Sequence, residues 1–214
     1  HLNENYFRER RNSISYPKFY YIMTYYDLDY IPYPTKGYAA ELIFQKEGFN
    51  KAANMWQLIT KGSGHWPTGK KTFFSLNAYA TIKLPFSQPF FSQRLLGYTD
   101  AYMQGYEYYV IDGVAGGYLK ASFTRKLFNF SFTLPGTKKF APLKVPINIY
   151  GRVFGNSGYT YNPQPGLNFL SNKMLYSGGF GIDITTIYDF TLKVDWSFNQ
   201  LGQNGIFLHR KVVF

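Results

Sequence analysis

The chain has 214 residues, a formal net charge of +11, 21 Tyr, 21 Phe and no Cys. Aromatic residues make up 21% of it and charged residues only 16%, against about 25% charged in an ordinary globular domain. The lack of Cys excludes disulfides, thiol catalysis and Cys-based metal sites. No apolar run of about 18 residues exists, which excludes a transmembrane helix. A chain rich in Tyr and Phe and poor in charge then fits a β-sandwich, or a transmembrane β-barrel whose strands alternate and whose rims carry aromatics. The basic residues are scattered over strand ends and loops. They lack the stripe or motif of a nucleic-acid binder and suit a solvated rim or contact with anionic lipid head groups. The sequence begins at His1 with no signal peptide. For an exported protein the expectation is a piece of a longer one.

In chain order, strand signals fall at Phe19–Tyr30, Gly37–Lys46, Asn54–Lys61 and Phe74–Leu84, then at Tyr118–Phe128, Pro146–Phe154 and Tyr176–Thr186. Phe190–Asn199 and Gly205–Phe214 complete about nine, with no helical periodicity and with Gly and Pro spread throughout. Two segments alternate strictly. Phe74, Leu76, Ala78, Ala80, Ile82 and Leu84 interleave with Ser75, Asn77, Tyr79, Thr81 and Lys83. Phe190, Leu192, Val194, Trp196 and Phe198 interleave with Thr191, Lys193, Asp195, Ser197 and Asn199. Runs of about 9 to 11 residues match tilted membrane-crossing strands, whereas globular strands average about 5 to 6.

The connections alternate in character. Pro32–Gly37, Pro67–Gly69 and Thr186–Asp189 read as compact turns, and Pro85–Gly117 and Gly155–Lys173 as long links. With the C-terminus on the periplasmic side, the turns fall inside and the long links outside, the pattern of outer-membrane barrels. Asn129–Val145 breaks the pattern as a long link on the periplasmic side. The expected fold is therefore an all-β, antiparallel transmembrane β-barrel in the outer membrane of a Gram-negative bacterium. Nine is odd where bacterial barrels are even, so residues 1–214 are expected to be the C-terminal portion of one larger barrel domain.

Met103-Gln104-Gly105-Tyr106-Glu107, followed by Gly113-Val114-Ala115-Gly116-Gly117, resembles the sixth-loop signature of the BamA/TamA outer-membrane assembly superfamily and its Gly-rich lead into the next strand. Asp27-Leu28-Asp29 with Tyr33–Gly37 resembles that family's acidic strand end and Pro-x-x-Gly turn. Ser177–Ile184 resembles its Gly-rich third-from-last strand, with Asp183 as the inward acid. About five strands follow the loop, as a 16-stranded barrel of this family implies. The family's loop folds back into the lumen, where an Arg pairs with inward acids. That Arg is Gln104 here. A charge-assisted pair contributes about 1.5–3 kcal/mol and a neutral hydrogen bond about 0.5–1.5. The expectation is a looser latch on Asp183, or a replacement cation, with Arg94 and Arg152 as candidates. Arg94-Leu95-Leu96-Gly97-Tyr98 matches the signature less fully.

The resemblance implies no enzyme and no cofactor. It implies a barrel that assists insertion or translocation of other outer-membrane proteins, through a weak seam where an edge strand templates an incoming one. Its implied partners are outer-membrane lipids including lipopolysaccharide, unfolded outer-membrane protein clients, and periplasmic or lipoprotein subunits. The seam would involve the last strand, whose lipid face should carry Ile206, Leu208, Arg210, Val212 and Phe214. An Arg at mid-bilayer costs about 2–4 kcal/mol and near the interface about 0–1, so Arg210 is expected near the rim.

Other chemistry finds little footing. His1, His65 and His209 show no metal-ligand spacing. Gly155-Asn156-Ser157-Gly158 is not a nucleophile elbow, and no helix follows Gly178–Gly181 to form a phosphate site. Lys193 and Asp195 read as a lumenal polar ladder. The rival functions are the membrane anchor of a larger protein such as a patatin-like lipase, a passive outer-membrane channel, and a soluble β-rich binding module.

Overall fold

The structure is a computed structural model that describes residues 13–50, 53–98, 101–134, 143–186 and 189–210. Nine long strands form one antiparallel sheet in chain order. They are β1 (Lys18–Leu28), β2 (Gly37–Glu47), β3 (Met55–Gly69), β4 (Thr72–Leu84), β7 (Ala115–Leu134), β8 (Leu143–Tyr161), β9 (Met174–Thr185), β10 (Thr191–Asn199) and β11 (Asn204–Arg210). A short pair, β5 (Arg94–Leu96) and β6 (Ile111–Asp112), lies inside the long loop between β4 and β7. The one helical element among the described residues is a 3-10 turn at Phe90–Ser92.

Each expected strand has one counterpart, and the differences lie at the ends. β7 and β8 run on to Leu134 and Leu143, because Phe128, Phe130 and Phe132 keep alternating with Asn129, Ser131 and Thr133. The connection that broke the short-turn rule therefore shrinks to eight residues, 135–142, which lie outside the described ones. β3 likewise absorbs Pro67–Gly69, leaving Lys70 and Lys71 as the turn.

Pairing register sorts the residues onto two faces. Trp66, Phe74, Phe123, Val153, Phe180, Trp196 and Ile206 stand opposite one another across seven consecutive strands. All are apolar, and most are exposed. Aromatic contacts gather near both ends of this outer face. Trp66 contacts Tyr38 and Phe74 at one end, and Trp56 contacts Phe44 at the other. The inner face is polar. It carries Gln57, Lys61, Ser63, His65, Ser75, Asn77, Lys120, Arg152, Asp183, Lys193 and Asp195.

The sheet curls around this polar face. Tyr33, in the β1–β2 turn, packs on Phe73 of β4 and Tyr150 of β8 and donates to Asp183 of β9. In a flat sheet β2 and β9 would lie five strand spacings apart, roughly 24 Å at about 4.8 Å each. One tyrosine cannot span that. The curl does not close on itself: β1 and β11 are both edges, with no pairing between them among the described residues.

Candidate functional site

The site lies where the long loop between β4 and β7 meets the inner face. Lys83, at the end of β4, donates Nζ to the Ser92 carbonyl at 2.8 Å and turns the loop inward. Leu95, Leu96, Met103, Tyr106 and Ile111 of the loop then bury themselves against Leu170 and Leu175. Two glycines open the way to β7. A Cβ at Gly116 would lie 2.3 Å from the Tyr159 carbonyl oxygen, and one at Gly117 2.0 Å from that of Tyr79.

At the loop apex, Gly105 has φ +90°, a left-handed conformation suited to glycine. This turn places Gln104 over the inner face. Its amide Nε2 donates to Asp195 Oδ2 at 3.1 Å. Its carbonyl accepts from Asn156 Nδ2 at 3.4 Å and from the Ser177 hydroxyl. Tyr106 donates to the Tyr176 carbonyl at 3.2 Å, while Glu107 Oε2 accepts from the Gly105 amide at 2.7 Å.

Beneath Gln104 sits a salt-bridged cluster. Arg152 of β8 donates Nε to Asp183 Oδ1 at 3.2 Å and Nη2 to Asp195 Oδ1 at 2.6 Å. The pairing register explains the reach. Arg152 stands opposite Gly181, which stands opposite Asp195. With no side chain on the middle strand, the guanidinium crosses β9 to the next one. A Cβ at Gly181 would lie 2.2 Å from Asp195 Oδ1. Asp183 is two residues further along β9, at the diagonal position that long side chains reach. Lys193 is its direct cross-strand partner. Two carboxylates thus share one guanidinium, which compensates for their withdrawal from water.

The cluster has a second cover. The Tyr33 hydroxyl donates to Asp183 Oδ2 at 2.9 Å from the turn end of the sheet. Burial, and then the neighbouring Asp183, raise the Tyr33 phenol well above its ordinary range, so it stays a donor. The turn itself is held by Asp29. Its carboxylate accepts from the Thr35 amide, the Thr35 hydroxyl and the Lys36 amide at 2.9, 2.6 and 3.1 Å. Partial burial opposes ionisation of Asp29, but these hydrogen bonds outweigh it and hold the carboxyl below the usual range.

Of the loop residues, Met103 and Tyr106 lie in the apolar cluster, and Gln104, Gly105 and Glu107 reach the inner face. Asp183 and Arg152 meet directly. Arg94 does not join them: it is exposed and lies over the Tyr98 ring at 5.3 Å. Gln104 meets Asp195 and not the expected Asp183; the sequence alone places Asp195 only on a polar strand face. The signal that could have singled it out is the Gly at 181, since a gap on one strand exposes the next. On β11, Leu208 and Ile206 are exposed on the outer face, and Arg210 ends the strand opposite Leu192. Val212 and Phe214 lie outside the described residues. The inner face of β11 meets the loop: His209 stacks on Tyr102 at 4.9 Å, and Phe207 contacts Tyr108 at 5.2 Å.

No cluster of metal-ligating side chains occurs among the described residues, and no helix is long and apolar enough to cross a membrane, which says nothing about strands. No family model, curated protein or solved structure matches the chain.

Proposed function

We propose that this sheet is part of an outer-membrane β-barrel of the BamA/TamA type, which assists insertion or translocation of other outer-membrane proteins. The observation that carries the reading is the loop at Gln104, folded onto the inner face and seated on the Arg152–Asp183–Asp195 cluster. A passive channel needs an open lumen, and a loop lying across the inner face speaks against one. The faces support a membrane setting, with an apolar outer side and a polar, internally paired inner side.

Strand parity supports a larger barrel. Nine antiparallel strands leave β1 and β11 running in the same direction. Joining them directly would give one parallel pair. An all-antiparallel closure requires an odd number of further strands between them, and seven would complete the 16 that the resemblance implies. The client surface in this reading is a sheet edge, where main-chain donors and acceptors supply affinity to an incoming strand. The proposed surroundings are outer-membrane lipid with lipopolysaccharide, unfolded barrel clients, and periplasmic or lipoprotein subunits.

The test is reconstitution of the full-length protein into lipid vesicles. The folding rate of an urea-unfolded barrel client is followed by its gel-mobility shift, alongside solute efflux. Client folding faster than in empty vesicles, without efflux, supports an assembly role. Efflux with no effect on clients would replace it with a channel.

A further inference from the structure

We propose that the two covers of the inner face, Tyr33 at the turn end and Gln104 at the loop end, exclude one another's opening through Arg152. This goes beyond the assembly role and does not depend on it.

The two covers end on one relay. Tyr33 donates to Asp183 Oδ2, Arg152 holds Asp183 Oδ1 and Asp195 Oδ1, and Gln104 donates to Asp195 Oδ2. All five residues are dry, at 6%, 1%, 7%, 0% and 8% exposure in the order Tyr33, Asp183, Arg152, Asp195, Gln104. Each carboxylate therefore meets one cover and the one shared guanidinium, and Asp195 Oδ2 has His209 Nε2 at 3.9 Å besides. A buried carboxylate that loses a donor is costly. When Tyr33 lifts away, Asp183 draws more on Arg152. Arg152 then serves Asp195 less well, and Asp195 depends more on Gln104. The loop is gripped harder when the turn is open, and the turn harder when the loop is open. A cavity of about 70 Å³, whose lining includes Tyr33, His65, Thr124, Arg152, Asp183 and Lys193, gives the guanidinium room to shift on the Asp183 side. Lys193 stands opposite Asp183 across the strands.

The sign of this coupling sets it apart from ordinary loosening, in which any lost contact frees its surroundings. These 214 residues hold no Cys, so single reporters can be introduced, with any Cys elsewhere in a longer protein replaced by Ser. Ser197→Cys lies on β10, fully buried on the loop's side of the inner face. Thr124→Cys lines the cavity under Tyr33. Maleimide labelling of the folded full-length protein reads opening at each. In the Ser197→Cys protein, Gln104→Ala should speed labelling at least fivefold, while Tyr33→Phe should slow it about threefold. In the Thr124→Cys protein, Gln104→Ala should slow labelling by a comparable factor when reclosing outpaces the reagent, because equilibrium coupling between two sites is reciprocal. Tryptophan emission and heat-dependent gel mobility report the fold of every variant. Should Tyr33→Phe leave labelling at Ser197→Cys unchanged or faster with the fold intact, the proposal fails. If that variant does not fold, the Gln104→Ala effect on Thr124→Cys decides alone: slower supports the proposal, equal or faster overturns it.

Discussion

At the scale of single residues, the inner face is organised by what Gly181 lacks. Because nothing projects from that position, Arg152 reaches a strand beyond its neighbour. Gly181→Ala would drive a methyl against Asp195 Oδ1, and a loss of about 1–3 kcal/mol is expected in urea unfolding, as for overpacking elsewhere. Arg152→Met strands two buried carboxylates and should cost about 3–5 kcal/mol. The triple change Arg152→Met, Asp183→Leu, Asp195→Leu removes the charges together and should cost less than the single one, a contrast the same unfolding curves measure. Asp29 and Tyr33 set the pH limits of the turn. The Asp29 carboxyl lies below its ordinary range when folded. Its contribution is complete above the unfolded aspartate value, near 3.9, and declines as pH falls below it. Tyr33 is shifted upward, so its contribution is complete below the unfolded tyrosine value, near 10, and declines as pH rises past it. Asp29→Asn should flatten the acid limb of a stability–pH curve, and Tyr33→Phe the alkaline limb.

At the scale of elements, the nine strands were legible because period-two alternation is a local property. Each of the nine segments read from sequence has its strand, and the errors were lengths. Gly and Pro mark stops in the sequence at Pro67–Gly69 and Gly155–Gly158, but the ladder carries them inside β3 and β8. The contacts of Gln104 were not legible in detail. Which acid it meets depends on the relative register of β8, β9 and β10, and no local pattern in any one strand encodes that. The two-faced sheet makes a direct prediction. Phe180→Arg, on the outer face beside Trp196, should cost about 2–4 kcal/mol if that face meets lipid near mid-depth. Surface exposure to water would leave it within about 0.5 kcal/mol. Urea unfolding from vesicles distinguishes the two.

At the scale of the whole molecule, β1 stands apart. Tyr20 and Ile22 on its inner side are exposed as fully as Tyr21 and Met23 on its outer side, and its far edge pairs with no other strand among the described residues. An edge strand with bulky apolar groups on both faces is a template for further pairing. Amides of β1 should therefore exchange with deuterium at alternate positions within minutes, while those of β7 and β8, paired on both sides, persist. In a longer protein that closes the sheet, the alternation on β1 should vanish.

The aromatic groups at the two ends of the outer face also fix a length. Trp56 and Trp66 both belong to β3, ten residues apart and on the same face. At about 3.3 Å per residue they stand roughly 33 Å apart along the strand. In the membrane setting proposed above, a tilt of about 40° would reduce their separation along the bilayer normal to about 25 Å. That is the hydrophobic height of an outer membrane, thinner than the roughly 30 Å of a typical bilayer. In the proposed membrane setting the strand carries its own gauge of bilayer thickness. Folding into vesicles of short-chain lipid should outpace folding into long-chain ones, and moving Trp66 two residues toward Trp56 should shift the best-matched lipid to a shorter chain.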